Sequence, residues 1–151
     1  MAKAKSADAL SDDVVQSLQK LYSHELSGVV RYLHYSHMIM GPNRIPIVSW
    51  LKEQATEAQT HAYEVGEKLT AFHRHPEMKV SPVAESGKHN VLDVLREALD
   101  YEREGLAEYL RLLGLVREHR PGDAALEDWV RKFVADETQH LESAEKMLRT
   151  M

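Results

Sequence analysis

The sequence predicts an all-α fold, a four-helix bundle built as two antiparallel hairpins joined by a long crossover. Three observations predict it. Gly and Pro are scarce, 7 and 5 in 151 residues, and gather at three places: GPNRIP at 41–46, the stretch from His75 to Asn90, and RPGD at 120–123. The four segments between these breakers are rich in Leu, Ala, Glu, Lys and Arg, the residues that cost least in a helix. The second of the three connections is also much longer than the other two.

Taken in order, the segments run over 12–39, 46–73, 90–118 and 124–150. Pro46 suits a first helical turn, Asn90 can cap the third helix, and Asp123 with Glu127 in the first turn can cap the fourth. A helix of about 27 residues is about 40 Å long at 1.5 Å per residue. The connection from Arg74 to His89 has 16 residues and reaches about 53 Å when extended, enough to run the length of the bundle. The other two are short enough only for antiparallel neighbours. Residues 1–11 read as a flexible N-terminal arm and residues 12–151 as the bundle.

At 17.2 kDa the chain is sized for one domain with a core that needs no covalent staple. It has no cysteine. That excludes thiolate-bound zinc and iron–sulfur centres, so any metal must be held by His, Asp or Glu. The 24 acidic and 19 basic residues, net charge −5, are spread along the chain, and no continuous basic face exists to meet a nucleic acid. No run approaches 18 apolar residues, and the N-terminus lacks the apolar core of a secretory signal. A cytoplasmic protein that binds neither nucleic acid nor membrane is expected.

Helical phase separates the inward acids from the solvated ones. In the third segment Leu92, Leu95, Leu99, Glu102, Leu106, Tyr109, Leu113 and Val116 form one seam, broken at its centre by Glu102. The fourth gives Leu126, Val130, Phe133, Glu137, His140, Ala144 and Met147, broken by Glu137 and His140. In the first, Val14, Leu18, Leu21, Glu25, Gly28, Tyr32, Tyr35 and Ile39 place one acid mid-seam. The second is less regular: Ile47, Leu51, Gln54, Ala58, His61, Val65 and Phe72 contain His61, but Ala58 stands where an acid would complete the set. Glu57, one residue away, is on a neighbouring turn of the same side as His61, and a π-bulge between them would turn it inward.

These six residues, Glu25, Glu57, His61, Glu102, Glu137 and His140, all fall near mid-helix. Antiparallel helices of equal length bring such positions to one level. Four carboxylates in a dry core would protonate or prove prohibitive without counter-charge. Two divalent cations would balance them, and carboxylate with imidazole suits iron or manganese. The competing account makes His140 a hydrogen-bonded core histidine and pairs the glutamates with Arg31, Arg96 or Arg103.

At these residues the sequence resembles the bacterioferritins and, more widely, the ferritin-like di-iron superfamily, over residues 15–150. LQKLYSHELSGVVRY at 18–32 resembles the first-helix motif, REALDYE at 96–102 the third-helix motif, and DETQH at 136–140 the Glu-x-x-His motif of the fourth; THAYEVGEKL at 60–69 resembles the stretch that starts at the other histidine ligand. The resemblance implies that Glu137 bridges or binds iron and His140 ligates it. Asp136 would orient a histidine, and Tyr32 would stand behind the ligands. It further implies two irons per chain, or manganese or zinc in their place, with ferrous iron oxidised by oxygen or peroxide. The sequence departs from the family's pattern in three ways. Glu57 and His61 are one residue further apart than Glu-x-x-His; Gln59 stands where haem-binding members carry methionine, so no haem is expected; and the sequence ends 11 residues after His140, without the fifth helix of cage-forming bacterioferritins.

Two other functions stay open: a metal-poor structural or binding bundle, and a di-iron oxidase acting on another substrate. Trp129, Val134 and Leu141 fall on the outer face and predict a homo-oligomer, at least a dimer. His24, His34, His37, His73, His75, His89 and His119 read as surface or loop residues, with incidental metal binding by His73, His75 and His89 near the crossover as the lesser alternative.

Overall fold

The computed structural model describes residues 9–149. Four helices form: α1 Asp12–Met38, α2 Arg44–Ala71, α3 Val91–His119 and α4 Ala124–Leu148. Three start on a side-chain cap. Ser11 Oγ accepts from Val14 N–H, Asn90 Oδ1 from Leu92 N–H, and Asp123 Oδ1 from Leu126 N–H, each satisfying a donor that the first turn leaves free. Helix α2 has no such cap and starts two residues earlier than the sequence suggests, with Pro46 inside its first turn. The α1–α2 corner is closed by Arg44, whose guanidinium donates to the carbonyls of Ile39 and Ser36 at the end of α1.

The crossover, residues 72–90, is irregular and runs along α1. At its start Arg74 pairs with Asp12 at 3.2 Å, beside the first turn of α1. Midway, the Gln19 side chain donates to His75 O and accepts from Glu77 N–H, and Ser81 N–H donates to Ser23 O. At its end, Met40 N–H donates to His89 O, past the last turn of α1. The segment therefore spans the full length of the bundle, and α3 begins where α1 ends. Two antiparallel hairpins, α1–α2 and α3–α4, result, packed against each other with α1 beside α3.

Two apolar clusters fill the bundle, one towards each end. Leu18, Leu21, Val65, Leu69, Tyr109, Leu112, Val130 and Phe133 belong to one, and Tyr32, Tyr35, Ile39, Leu51, Val94 and Tyr101 to the other. Between them lies a polar layer: Glu25, His61, Glu102 and Glu137 are all buried. This is the placement the seams predict.

Several finer expectations differ. Leu92 is 45% exposed, because α3 turns Val94 and Leu95 into the core at that level instead. Trp129, Val134 and Leu141 are half-buried rather than open. Trp129 packs edge-on against Phe133 and lies under the Lys68 ammonium from α2. The outward apolar surface is carried by other residues, among them Val30, Leu33, Ile45, Tyr63 and Met78. Of the N-terminal arm, residues 1–8 lie outside the described residues, while Leu10 is buried in the core. No described helix is long and apolar enough to cross a membrane.

Candidate metal centre

Each helix contributes to the polar layer from its middle. His61 on α2 turns Nδ1 to Glu25 Oε1 on α1 at 3.4 Å and to Glu137 Oε1 on α4 at 3.0 Å. His140 on α4 turns Nδ1 to Glu102 Oε2 on α3 at 3.8 Å and to Glu137 Oε2 at 3.9 Å. Two groups of donors result, Glu25–His61–Glu137 and Glu102–Glu137–His140, with the donor atoms of each within 4.8 Å of one another. Glu137 belongs to both, one oxygen to each.

The outer nitrogens of the two imidazoles each face an acid. His61 Nε2 lies 3.7 Å from Asp136 Oδ2, and His140 Nε2 lies 2.9 Å from Glu57 Oε2. An acid on the outer nitrogen fixes the ring and leaves the inner nitrogen free to bind a cation. Two tyrosines support the remaining carboxylates: Tyr109 on α3 donates to Glu25 Oε1 at 2.6 Å, and Tyr32 on α1 donates to Glu102 Oε1. Burial, with the carboxylates beside them, raises both phenols well above 10, so they stay protonated donors.

Mutual charge governs this layer. Burial favours a neutral His61, but hydrogen bonds to Glu137 and Glu25 outweigh it and push the imidazole up to about 10. His140 is pushed up to about 9 against burial by Glu102, Glu137 and Glu57. Glu137 moves upward through burial and through the nearby Glu25 and Glu102, while Glu102 is lowered against burial by its bonds to His140, Glu137 and Tyr32. The carboxylates thus favour positive charge between them, which protons on the imidazoles or divalent cations would supply. The three arginines of the competing account lie elsewhere. Arg31 donates to Tyr35 Oη, Arg96 pairs with Asp93, and Arg103 pairs with Asp100 and Glu145. The donor set of carboxylate oxygens and imidazole nitrogens fits two first-row divalent ions.

The structure brings together Glu25, His61, Glu102, Glu137 and His140, and sets Tyr32 and Asp136 behind them. Glu57 is the exception. Helix α2 runs as unbroken α-helix from Arg44 to Ala71, with no π-bulge, so Glu57 stays off the seam, half-buried, and meets His140 on its outer nitrogen. Gln59 is exposed. His24, expected at the surface, stacks flat on Tyr101 with ring centroids 4.2 Å apart, because Gly105 leaves room for its imidazole. Sequence reasoning missed the role of Tyr109. The signal was present: Tyr109 follows Glu102 by the same seven residues that separate Tyr32 from Glu25.

The groups also open outward. A groove of about 590 Å³ between α2 and α4 is lined by Thr56, Glu57, Thr60, His61, Lys132 and Asp136, so it reaches the histidine of one group from solvent.

Comparison with solved structures finds the same architecture in several proteins. A ferritin-like, diiron-carboxylate protein from Bacillus anthracis superposes with a TM-score of 0.84 at 22% identity, over 93% of this chain and 100% of its own. A DPS protein from Vibrio cholerae, described as a ferritin-like diiron-carboxylate protein, gives 0.85 at 14% identity, over 99% of each chain. The bacterioferritin of Rhodobacter capsulatus, solved with a metal-free dinuclear site and haem iron, gives 0.78 at 18% identity, over 93% of this chain and 86% of its own. Comparison with curated proteins gives no match. The family model for a ferritin-like domain matches residues 15–151, nearly the whole bundle together with the centre just described, and the chain belongs to the ferritin-like family.

Proposed function

We propose that the protein binds two iron ions per chain in this centre and oxidises ferrous iron with oxygen or peroxide. The observation that carries the reading is the position of Glu137, which offers one carboxylate oxygen to each of two buried groups that are otherwise separate. A single such group would suit one resident ion; a shared carboxylate holds two close together. Membership in the ferritin-like family and the diiron and dinuclear sites named in its structural neighbours support the same reading.

Iron is the substrate here, and pairing has a chemical purpose. Each ferrous ion gives up one electron, so two ions with one oxygen molecule and two protons yield two ferric ions and one hydrogen peroxide. No superoxide need be released. Within the chain, Glu25 with His61 and Glu102 with His140 would hold one ion each, and Glu137 would hold both. Asp136 and Glu57 keep the imidazoles oriented, and the hydroxyls of Tyr109 and Tyr32 fix the outer carboxylates. The groove between α2 and α4 carries Glu53, Glu57 and Asp136 beside Lys52 and a Glu64–Lys132 ion pair, a net acidic approach for ferrous ions.

Addition of ferrous iron under air should produce ferric absorbance well above the rate in protein-free buffer, with the fast phase saturating near two irons per chain. A rate equal to buffer would remove the ferroxidase reading and leave a structural bundle. The exposed Val30, Leu33, Ile45 and Met78 further support a homo-oligomer, at least a dimer. Sedimentation at micromolar concentration tests that, and a strictly monomeric species would refute it.

A further inference from the structure

A second groove, of about 570 Å³, lies away from the metal centre, between the N-terminal third of α1 and the start of the crossover. Its walls are tied together by the fold. Helix α2 ends on His73, whose φ of 58° is left-handed, and Arg74 N–H closes back on Leu69 O at 2.9 Å. The chain leaving this turn is clamped to α1 by Gln19, which donates to His75 O at 2.7 Å and accepts from Glu77 N–H at 3.0 Å. It is tied again at Ser81, whose N–H donates to Ser23 O and whose hydroxyl lies 3.0 Å from that of Ser23.

The lining is basic, in a chain of net charge −5. It contains Lys20, Arg74 and Lys79 against a single acid, Glu77. These cations are loosely engaged. Arg74 pairs with Asp12, whose side chain is 87% exposed, and a surface pair of that kind contributes little. Lys20 pairs with Glu108, but Glu108 also accepts from Ser17 and Arg111, so it stays satisfied if Lys20 turns to another partner. Lys79 Nζ and the Gln16 amide have no hydrogen-bond or ion-pair partner among the described residues. The fold therefore gathers positive charge and free donors on two facing walls and supplies little to neutralise them. The volume is that of a small-molecule site, about 300–1,000 Å³, and no continuous basic face extends from it to follow a nucleic acid.

We propose that this groove binds a small phosphate-bearing anion, one per chain, which bridges Lys20 on α1 to Arg74 and Lys79 on the crossover. A phosphate group presents several acceptor oxygens in different directions, so ammonium, guanidinium and amide donors on separate walls can each take one. The bound anion would fasten the crossover to α1 and stabilise the folded chain by mass action. The proposal is independent of the paired-metal reading.

Isothermal titration calorimetry of pyrophosphate into the full chain, at constant ionic strength, tests it. The parent should show saturable binding of one pyrophosphate per chain, and citrate, a carboxylate anion of similar charge, should bind more weakly. Lys79→Gln removes a charge that has no partner to lose within the fold, and should weaken pyrophosphate binding by about tenfold, the size of one charge-assisted hydrogen bond. Arg74→Gln should do the same, with helix content by circular dichroism unchanged in both. Lys146→Gln, in the last turn of α4 at the opposite end of the bundle, should leave the affinity as it is. Absence of saturable binding, tighter binding of citrate, an equal loss in Lys146→Gln, or unchanged affinity in folded Lys79→Gln would each overturn the proposal.

Discussion

The α1–α2 hairpin and the α3–α4 hairpin carry nearly the same set of functional side chains, yet the second holds the centre together and the first completes it. Each hairpin supplies a carboxylate braced by the other's tyrosine, an imidazole aimed inward, and an acid that orients the other hairpin's imidazole. These supports cross the bundle in both directions. Each half of the centre therefore needs side chains from both hairpins. The shared carboxylate comes only from α4. The comparison teaches that two similar groups of donors are joined by one asymmetric residue, Glu137, where the matching position on α2 is Ala58.

The largest test of that asymmetry is Glu137→Ala. It should abolish tight binding of both ions, since it removes a donor from each group, whereas Glu25→Ala and Glu102→Ala should each leave one ion. Elemental analysis of desalted, metal-loaded protein reads the difference as none against one per chain. If Glu102→Ala kept two ions, Glu102 would not be a ligand.

Much of this division was legible in the sequence because helical phase is a local property. The seams of α1, α3 and α4 each set their acid inward, and Glu25, Glu102 and Glu137 are buried where those seams run. Asn90 and Asp123 cap as their positions suggest, and the crossover spans the bundle as its length demands. What could not be read depends on contacts between helices. Phase places Ala58 on the seam and Glu57 beside it, so a fourth inward carboxylate would require a π-bulge in α2. Helix α2 stays unbroken, and Glu57 finds a partner off the seam, His140 on α4, which no spacing within α2 reveals. His24 looked solvated for the same reason, since its room is made by Gly105 on α3. Phase alone sets Trp129 outward, and its cover comes from Lys68 on another helix, α2.

A smaller effect is expected at the outer acids. Glu57→Gln and Asp136→Asn should each weaken metal binding by about 10–100-fold without changing the number of ions, as loss of an orienting partner does. Competition with a chelator measures this, and unchanged affinity in both variants would show that the outer nitrogens need no acid. The same pairing predicts a pH dependence of the metal-free protein. His61 and His140 are raised from 6.5 to about 10 and about 9. Their contribution to stability is thus full below pH 6.5 and is lost as pH rises through 9 to 10. In excess chelator, the thermal midpoint should fall over that interval. With metal bound, the imidazoles are already unprotonated and the fall should be much smaller. Parallel pH profiles with and without metal would refute the link.

The smallest expected effect compares the two glycines that let the hairpins approach, Gly28 and Gly105. At Gly28 an added Cβ would stand 2.1 Å from the Tyr101 hydroxyl and 2.8 Å from its Cζ, so the ring itself must move. That ring is not free to do so: it stacks on His24, meets Tyr32 edge-on, and donates to the His24 carbonyl. Overpacking of this kind costs about 1–3 kcal/mol, offset by the gain of about 1 kcal/mol when alanine replaces glycine within a helix. At Gly105 the nearest atom is His24 Nε2 at 2.9 Å and the next is at 3.5 Å, so a slight tilt of one imidazole suffices. The helix gain should then nearly cancel the strain. Gly28→Ala is expected to lower the urea midpoint and Gly105→Ala to leave it almost unchanged. In a Tyr101→Phe background, with the clashing hydroxyl gone, the Gly28→Ala penalty should shrink, a coupling that a double-mutant cycle measures directly. An equal penalty in both backgrounds would mean that the Tyr101 hydroxyl is not what Gly28 makes room for.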